Sequence, residues 1–363
     1  MMQLVGDIPK LRLKNELRKF DRVRKNKMAH SANMLLSALG NKRHCQSQLL
    51  PVSEVKDIVI VRSNDRVGNT VFLIPFIRQV QQIYPDAKIT LLLNKPWQQQ
   101  MFEHLGIDHF EFARLSKSSL LPCLSSLRKL RGKVFDLCLS PSVSAQSSVL
   151  SALLSARNKI SYSSKYHHAF THTYPRRHHH NHAALCNLSL LAQVHHSNVA
   201  SRQAFSHQLA ISADECQQGR EAKEQLTTEQ GLLVAFFRGA RGDKKLSESQ
   251  WVQILNQIEL STDQPVNWVE IMGPEIEAPL FADSLTYRSN SLRELACFLR
   301  HSDGFVSCDT GPLHLADAAG AKCIGLYTHT DPSVYGLLGE HCLQLTDTEQ
   351  LDRAAIARCL EAK

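Results

Sequence analysis

The segment from Asp303 to Tyr327 constrains the fold of this chain more than any other. An apolar run ends at Cys308, a short polar turn follows, and Pro312 then opens a helical pattern. Proline suits the first position of a helix, because its missing N–H would have no partner there and its φ is already near the helical value. A second apolar run begins at Cys323. The segment therefore predicts a strand–turn–helix–strand unit of a parallel α/β sheet.

The turn itself has the composition of an anion-binding loop. Asp309, Thr310 and Gly311 offer a capping side chain, a hydroxyl and a residue that lets a ligand approach the backbone. A helix N-terminus presents unpaired N–H groups and the positive end of the helix dipole, so a phosphate is favoured there. In such units the ligand crevice lies at the carboxyl ends of the strands. The residues alone leave a simpler alternative open, in which Asp309 only caps the helix and His314 is an ordinary half-buried histidine.

A longer pattern around this turn resembles a known family. Asp309 to Gly320 reads Asp-Thr-Gly-Pro-x-His-x-Ala-x-Ala-x-Gly, and a strand ending at Tyr327 and the triplet Thr330-Asp331-Pro332 follow. This is similar to the signature of glycosyltransferase family 9, the ADP-heptose:lipopolysaccharide heptosyltransferases and their relatives. The resemblance implies a GT-B fold, with two Rossmann-like α/β domains facing a central cleft. It also implies donor binding by the motif residues Asp309, Thr310, Gly311, Pro312 and His314.

The chain of 363 residues is long enough for two such domains, each with its own core. We expect a basic helical extension over residues 1–52, an N-terminal acceptor domain over 53–200 and a C-terminal nucleotide-sugar domain over 201–363. We expect the last helix, from about Thr348 to Leu360, to cross back to the first domain, as this architecture usually requires.

Composition indicates the compartment. The ten cysteines contain no Cys-x-x-Cys pair, so neither a zinc site nor a disulfide framework is predicted. The first residues lack the apolar core of a signal peptide, and the longest apolar runs are too short to span a bilayer. We therefore predict a cytoplasmic enzyme, peripheral on the inner face of the inner membrane if the N-terminal segment binds lipid.

The net charge of +8 is concentrated in the N-terminal segment. Residues 1–50 hold eleven Lys and Arg against three acidic residues, with apolar residues such as Leu13, Leu17 and Phe20 at helical intervals between them. A basic amphipathic helix of this kind can lie on an anionic membrane surface. The alternative is a solvated helix whose apolar stripe packs on the enzyme. Nucleic-acid binding is not favoured, because no base-reading motif accompanies the charges.

The first loop of the N-terminal domain departs from the family pattern. After the β-branched run at residues 57–62, the family places a Gly-Asp pair and a proline seven residues after the glycine, and Gly68 and Pro75 keep that spacing. The expected general base is the Asp, but this chain has Asn69 there. An amide does not accept a proton near neutral pH. Asn69 is therefore predicted to orient the acceptor while the nearby Asp65 acts as base; alternatively, Asp65 caps the loop or pairs with an arginine.

Cationic residues elsewhere in the first half are predicted to bind the acceptor. Arg62 and Gly68 belong to the first loop. Lys165 precedes a histidine-rich segment at residues 167–182, and Arg176 and Arg177 lie within it. That segment lacks His-Glu-x-x-His and cysteine pairs, so a metal site is not predicted. We expect the cations to face phosphates or sugar acids of the acceptor; the alternative is a solvated loop.

Two further donor contacts follow from the resemblance. The family carries Lys-x-Trp-Pro-x-x-x-Trp, whose lysine contacts the donor diphosphate, and counting back seven residues from Trp251 gives Lys244. The inner Trp-Pro is Leu246-Ser247 here, so the match is partial. The family also places a carboxylate on the ribose, which corresponds to Glu275, with Glu277 close enough to compete.

Together these features predict an inverting, metal-independent glycosyltransferase without a cofactor. The resemblance implies ADP-heptose as the donor and the lipid-anchored lipopolysaccharide core as the acceptor. One alternative is transfer of another nucleotide sugar to a surface glycan. The other is a non-catalytic nucleotide-sugar-binding homologue, which the absence of the usual Asp base keeps open.

Overall fold

The computed structural model describes residues 36, 40, 42–115, 120–176, 181–195, 206–227, 230–282 and 284–361. The predicted basic extension falls almost entirely outside these residues. In the part of the chain that is described, no helix has the length and apolar character needed to cross a membrane.

The first half of the described chain contains a six-stranded parallel sheet with the order β3-β2-β1-β4-β5-β6. This is the strand order of dinucleotide-binding α/β folds. Its strands are β1 (Asp57–Val61), β2 (Lys88–Leu93), β3 (His109–Phe112), β4 (Val134–Ser140), β5 (Ser155–Tyr162) and β6 (His172–Tyr174). The helices of this half are α1 (Val67–Val71), α2 (Ile74–Ile83), α3 (Leu120–Arg131), α4 (Ala145–Leu153) and α5 (Leu188–His195).

The second half repeats the same topology. A second six-stranded parallel sheet has the order β12-β11-β10-β7-β8-β9. Its strands are β7 (Leu232–Phe237), β8 (Val266–Ile271), β9 (Leu285–Tyr287), β10 (Gly304–Cys308), β11 (Cys323–Leu326) and β12 (Cys342–Leu345). The helices of this half are α6 (Ala213–Leu226), α7 (Glu248–Glu259), α8 (Leu292–His301), α9 (Gly311–Ala319), α10 (Pro332–Tyr335) and α11 (Arg353–Glu361).

The predicted strand–turn–helix–strand unit is present. Strand β10 ends at Cys308, helix α9 has Pro312 in its first turn, and it ends at Gly320, whose φ of 84° is in the left-handed region that favours glycine. Strand β11 then lies parallel to β10. The β-branched and apolar runs form strands because both faces of a parallel sheet are buried, which favours continuous apolar sequence.

The described residues form two compact units. The first comprises the described parts of Met1–Ser63, Asp86–Leu92 and Glu111–Arg176; the second comprises those of Asn64–Pro85, Leu93–Phe110 and Arg177–Lys363. Helices α1 and α2 therefore belong to the same unit as the second sheet. The boundaries predicted from the sequence, at 52/53 and 200/201, stay a prediction.

The core of the second sheet includes both α7 and the last helix. Trp251 of α7 is 1% exposed and lies beside Phe236 of β7, with ring centroids 5.9 Å apart. Ile356 and Leu360 of α11 are buried in the same cluster. The expectation that the last helix crosses back to the first domain was wrong for these residues, because the apolar face of α11 is covered by the second core.

Candidate functional site

The polar loops of the second sheet converge where its strand order reverses. Strands β7 and β10 are neighbours there, and the connections that follow them run in opposite directions along the sheet. The carboxyl ends of two such strands border the crevice in which open α/β sheets bind ligands. The loop after β7 carries Lys244, and the turn after β10 carries Asp309. The topology therefore brings together residues 65 positions apart in the sequence.

Asp309 is the centre of this site. One of its oxygens, Oδ2, accepts from the Lys244 ammonium at 2.6 Å, and the other, Oδ1, lies 2.8 Å from Nε2 of His314. Lys244 Nζ also donates to the main-chain oxygen of Asp309 at 2.9 Å. Asp309 and His314 are 7% and 5% exposed. The structure thus assembles three of the predicted donor residues into one hydrogen-bonded group, in which Asp309 and His314 are buried and Lys244 is half-buried.

The predicted capping role of Asp309 was wrong. The N-cap of α9 is Thr310, and its side chain makes no capping hydrogen bond; its Oγ1 instead lies 2.9 Å from Oγ of Ser307. Asp309 lies one position before the N-cap, and its carboxylate is directed to Lys244 and His314. Helix α9 begins at Gly311, one residue before the predicted start at Pro312, and both residues lie in its first turn. That turn presents the N–H groups of a helix start, which favour an anion.

The hydrogen bonds determine the protonation state of Asp309. Burial by itself would raise the pKa of this carboxyl, but the hydrogen bonds from His314 and Lys244 outweigh it and lower the pKa to about 2. The carboxylate can then only accept, so Nε2 of His314 carries the proton. Nδ1 of His314 is buried and has no hydrogen-bond partner among the described residues. Asp309 is therefore an ionised, fully engaged carboxylate at neutral pH.

Helix α1 packs directly against the start of α9, and two glycines permit the close approach. A Cβ atom at Gly68 would lie 2.8 Å from Cδ2 of His314, and one at Gly311 would lie 2.9 Å from Cβ of Val67. The ring of Phe72 completes the contact, edge-on to His314 with centroids 4.7 Å apart. Helix α1, which carries Asn69, is thereby held against the motif from Asp309 to Gly320 within the second unit.

Glu275 lies beside the glycines that end β7 and β8. Cβ atoms built at Gly239 and Gly273 would lie 2.6 and 2.9 Å from its two carboxylate oxygens. Both Glu275 and Glu277 are exposed. Gly239 and Gly273 follow the neighbouring strands β7 and β8, so Glu275 lies at the carboxyl edge of the second sheet. A carboxylate at this edge is what the predicted contact with the ribose needs.

A buried ion pair that the sequence analysis missed supports this loop. Glu270 is completely buried, and its Oε1 accepts from Nε of Arg238 at 2.5 Å. Its Oε2 accepts from the main-chain N–H of Leu280 at 2.6 Å, and Arg238 also donates to the oxygen of Ala278. The pair therefore ties the segment that follows Glu275, at Ala278 and Leu280, to the sheet. A charged residue within an apolar strand, such as Glu270 in Val266–Ile271, was the signal that could have revealed it.

Asp65 is ion-paired, but with a residue that the sequence analysis did not consider. Its Oδ2 lies 3.0 Å from Nζ of Lys95, and the two side chains are 32% and 39% exposed. The arginine partner weighed as an alternative stays a prediction, and the ion pair with Lys95 joins loops that are distant in sequence. Asn69 lies in α1, two residues from its start.

Three of the remaining predicted acceptor residues, Arg62, Lys165 and Arg176, belong to the first unit. Arg62 follows β1 and is 7% exposed. Lys165 is exposed after β5, with its ammonium 5.4 Å from the centroid of the Tyr166 ring, and Arg176 is exposed after β6. All three come after carboxyl ends of strands of the first sheet. Arg177 lies outside the described residues.

A serine cluster marks the corresponding point of the first sheet. Ser63 follows β1, and its hydroxyl lies 2.8 Å from that of Ser144 and 2.6 Å from that of Ser147. Ser144 is the N-cap of α4 and accepts from the N–H of Ser147. β1 and β4 are the neighbours between which this sheet reverses its order. The serines of this segment do not by themselves predict the cluster, because their meeting with Ser63 depends on strand order.

Metal-ligating side chains do not cluster in the described part of the chain. No group of three or more His, Cys, Asp or Glu residues there could hold a metal ion. Within the histidine-rich segment, the rings of His167 and His168 lie 4.1 Å apart, and residues 177–180 are outside the description.

Comparison with known proteins connects this geometry to a family. Residues 289–360 match the sequence model described as Glycosyltransferase family 9 (heptosyltransferase), a match that includes the whole motif from Asp309 to Gly320. The resemblance to glycosyltransferase family 9 is confirmed. No curated protein sequence matches the chain.

Solved structures agree with the GT-B type of fold, two Rossmann-like sheets with their helices. A family 9 glycosyl transferase from Veillonella parvula is similar with a TM-score of 0.68 and 19% identity, over 80% of this chain and 85% of that one. E. coli heptosyltransferase WaaC, solved with ADP, has a TM-score of 0.64 and 19% identity, over 84% and 99%. E. coli ADP-heptose heptosyltransferase II has a TM-score of 0.65 and 13% identity, over 85% and 98%. At these identities the likeness concerns the fold.

The charge state of Asp309 in this family 9 motif predicts how stability depends on pH. The pKa of about 2 in the folded protein lies below the ordinary aspartate value of 3.8, so the carboxylate stabilises the fold above about pH 4 and loses that contribution as the pH falls toward 2. The shift corresponds to about 2 kcal/mol. We expect Asp309→Asn to lower the free energy of unfolding by that order at pH 7 and to flatten its decline between pH 4 and 2, measured by urea unfolding.

The matched control is Asp243→Asn, since Asp243 is exposed in the same loop as Lys244. This variant should retain the wild-type dependence on pH. An unchanged acid dependence in Asp309→Asn would show that the carboxylate is not held as described.

Proposed function

We propose that this protein is an inverting glycosyltransferase that moves a sugar from a nucleotide donor to a lipopolysaccharide core acceptor. The observation that carries the proposal is the Asp309–Lys244–His314 group at the start of α9, together with the family match over the same segment. In the proposed reaction the acceptor hydroxyl attacks the anomeric carbon, the bond from that carbon to the diphosphate oxygen breaks, and the anomeric configuration inverts. The proton of the hydroxyl passes to a base.

Stabilisation of the leaving group is the task best supported by the geometry. A nucleoside diphosphate gains negative charge as it departs, and fixed positive groups aimed at that position lower the barrier. The Lys244 ammonium and the N–H groups at the first turn of α9 lie at one edge of the second sheet. Lysine has three donors, and the ion pair with Asp309 orients the ammonium. We propose that these groups hold the diphosphate without a metal ion.

The donor is proposed to be ADP-heptose. E. coli WaaC, similar in fold, has been solved with ADP and with ADP-2-deoxy-2-fluoro heptose. Glu275, beside Gly239 and Gly273, is the carboxylate proposed to accept from the vicinal hydroxyls of the ribose. The lipid-anchored acceptor is proposed to contact the first unit through Arg62 and the exposed cations Lys165 and Arg176, with Arg177 added from sequence.

A second candidate function is nucleotide-sugar binding without transfer. Asn69 favours it, because the family's expected carboxylate is absent at this position. The two candidates make different demands on the first loop: transfer needs a proton acceptor there, whereas binding needs only the donor site.

The donor proposal is tested by binding and turnover together. We expect ADP and ADP-heptose to raise the melting temperature of the wild-type protein, since a ligand that binds only the folded state stabilises it. Lys244→Ala should weaken ADP binding about tenfold to a hundredfold, because it removes a charge-assisted contact. Lys245→Ala, which changes the exposed neighbour, should leave ADP affinity unchanged. Equal affinities in both variants would contradict the role of Lys244.

Turnover is then measured with ADP-heptose, other nucleotide sugars and a lipopolysaccharide core acceptor, with and without EDTA. Product formed equally in EDTA supports metal-independent transfer. ADP binding without product from any donor would favour the non-catalytic alternative.

Asp65 is the proposed general base. Asp65→Asn should lower kcat by about 10² to 10⁴-fold, the range of general base catalysis, while ADP affinity stays within a factor of about two. Single-turnover kinetics separate the chemical step from binding. The control is Asp86→Asn, an exposed aspartate whose partner Lys56 is remote from this loop in sequence. If Asp65→Asn retains wild-type turnover, another group accepts the proton.

Membrane association is proposed for the basic segment at residues 1–52, which lies largely outside the description. We expect the full chain to float with anionic liposomes at low salt and a chain beginning at Val52 to lose this behaviour, because each Lys or Arg near the surface contributes about 1 kcal/mol. Neutral liposomes serve as the control. Equal flotation of both chains would contradict the proposal.

A further inference from the structure

A buried amide joins the first loop to the turn after β2. Gln98 is completely buried, and its Oε1 accepts from the main-chain N–H groups of Asn94 and Lys95 at 3.0 and 2.9 Å. Its Nε2 donates to the main-chain oxygen of Asn64 at 2.8 Å and to Oγ1 of Thr70 at 3.0 Å. One end of the amide thus binds its own turn, and the other end binds the loop.

The two contacts from Nε2 reach both ends of the segment from Asn64 to Thr70. This segment contains Asp65, the proposed base, and Asn69. Oγ1 of Thr70 in turn donates to the main-chain oxygen of Arg66 at 3.0 Å, and this uses its only proton. The Thr70 hydroxyl therefore accepts from Gln98 and cannot replace it as a donor.

A second contact joins the same turn and loop. Lys95 lies in the turn that Gln98 binds, and its main-chain N–H donates to Oε1 of Gln98. The Lys95 ammonium also forms an ion pair with Asp65 of the loop. On its other side the loop packs through Gly68 on His314. The loop is therefore held between the turn at Asn94–Gln98 and the donor motif, all within the second unit.

We propose that Gln98 is a positioning residue for the acceptor-activating loop, acting through Asn64 and Thr70 and making no contact with substrate. The expected fall in kcat rests on the proposed function. The expected loosening of residues 64–70 rests on the hydrogen bonds of Gln98 alone. Misplacement of a reacting group by about 1 Å costs about a hundredfold in rate. Loss of the Nε2 contacts should accordingly lower kcat far more than it changes donor binding, because Lys244 and Asp309 do not touch Gln98.

Substitution by glutamate tests the two ends of the amide separately. Gln98→Glu retains acceptors for the N–H groups of Asn94 and Lys95, but an ionised carboxylate has no proton to donate to Asn64 or Thr70. Protonation restores one donor, and burial favours the protonated form. Arg66, Lys95 and Asp65 are the charged groups on the two segments that meet here. We expect kcat of Gln98→Glu to fall about a hundredfold at pH 8 and to recover partly toward pH 6, relative to wild type.

Two further variants complete the kinetic test. Gln98→Met keeps the length of the side chain but removes all four hydrogen bonds, so its kcat should be low at every pH. Gln99→Glu adds the same charge at the partly exposed neighbouring position and should match wild type. ADP affinity should change less than twofold in all three. A loss of ADP affinity parallel to the loss of kcat, or an absence of pH-dependent recovery in Gln98→Glu, would overturn the positioning role.

Hydrogen exchange gives a readout that does not depend on transfer. Amides of residues 65–70 should exchange at least about tenfold faster in Gln98→Met than in wild type or Gln99→Glu, whereas amides of α9 should not change. If wild type turns over no donor, the proposed function fails, and this local acceleration still supports the positioning role. Unchanged exchange in residues 65–70 would overturn the inference even in an active enzyme.

Discussion

The carboxylate of Asp309 is the interaction on which the candidate site depends. A buried ionised group is costly unless charged or polar partners surround it, and here Lys244 and His314 occupy both oxygens. The hydrogen bonds overcome the effect of burial and keep the pKa of this group low. The same bonds orient the ammonium proposed to hold the diphosphate and fix the histidine tautomer. Removing one partner would therefore alter the others.

Close packing connects the group around Asp309 to the first loop of the N-terminal half, which contains Asp65 and leads into α1. Gly68 and Gly311 allow α1 to approach α9 more closely than side chains would permit, and His314 and Phe72 fill the space between them. The group proposed to organise donor binding thus also packs against the loop proposed to activate the acceptor. Gln98 holds the opposite side of that loop. Precise placement on both sides is what a single displacement requires, since the attacking oxygen and leaving group must be in line with the anomeric carbon.

Asn69 stands where the family pattern has an aspartate, and the structure shows which groups surround this position. The substitution removes a carboxylate from α1, while Asp65 lies earlier in the same loop and is ion-paired with Lys95. The proposed transfer through Asp65 requires this side chain to reach the acceptor hydroxyl from its place beside Lys95, whereas binding alone makes no such demand. This is the physical difference between the two candidate functions.

Local pattern determined most of the fold and the centre of the site. The apolar runs predicted β10 and β11, and Pro312 predicted the start of α9 to within one residue, because strand burial and helix starts depend on residues adjacent in sequence. The motif likewise identified Asp309 and His314. Tertiary structure alone decided that Asp309 binds Lys244 instead of capping the helix. It also decided that Glu270 pairs with Arg238, that Asp65 pairs with Lys95 and that Gln98 reaches Asn64. These contacts join separate loops, and strand order and loop path, which sequence periodicity does not encode, determine which side chains meet.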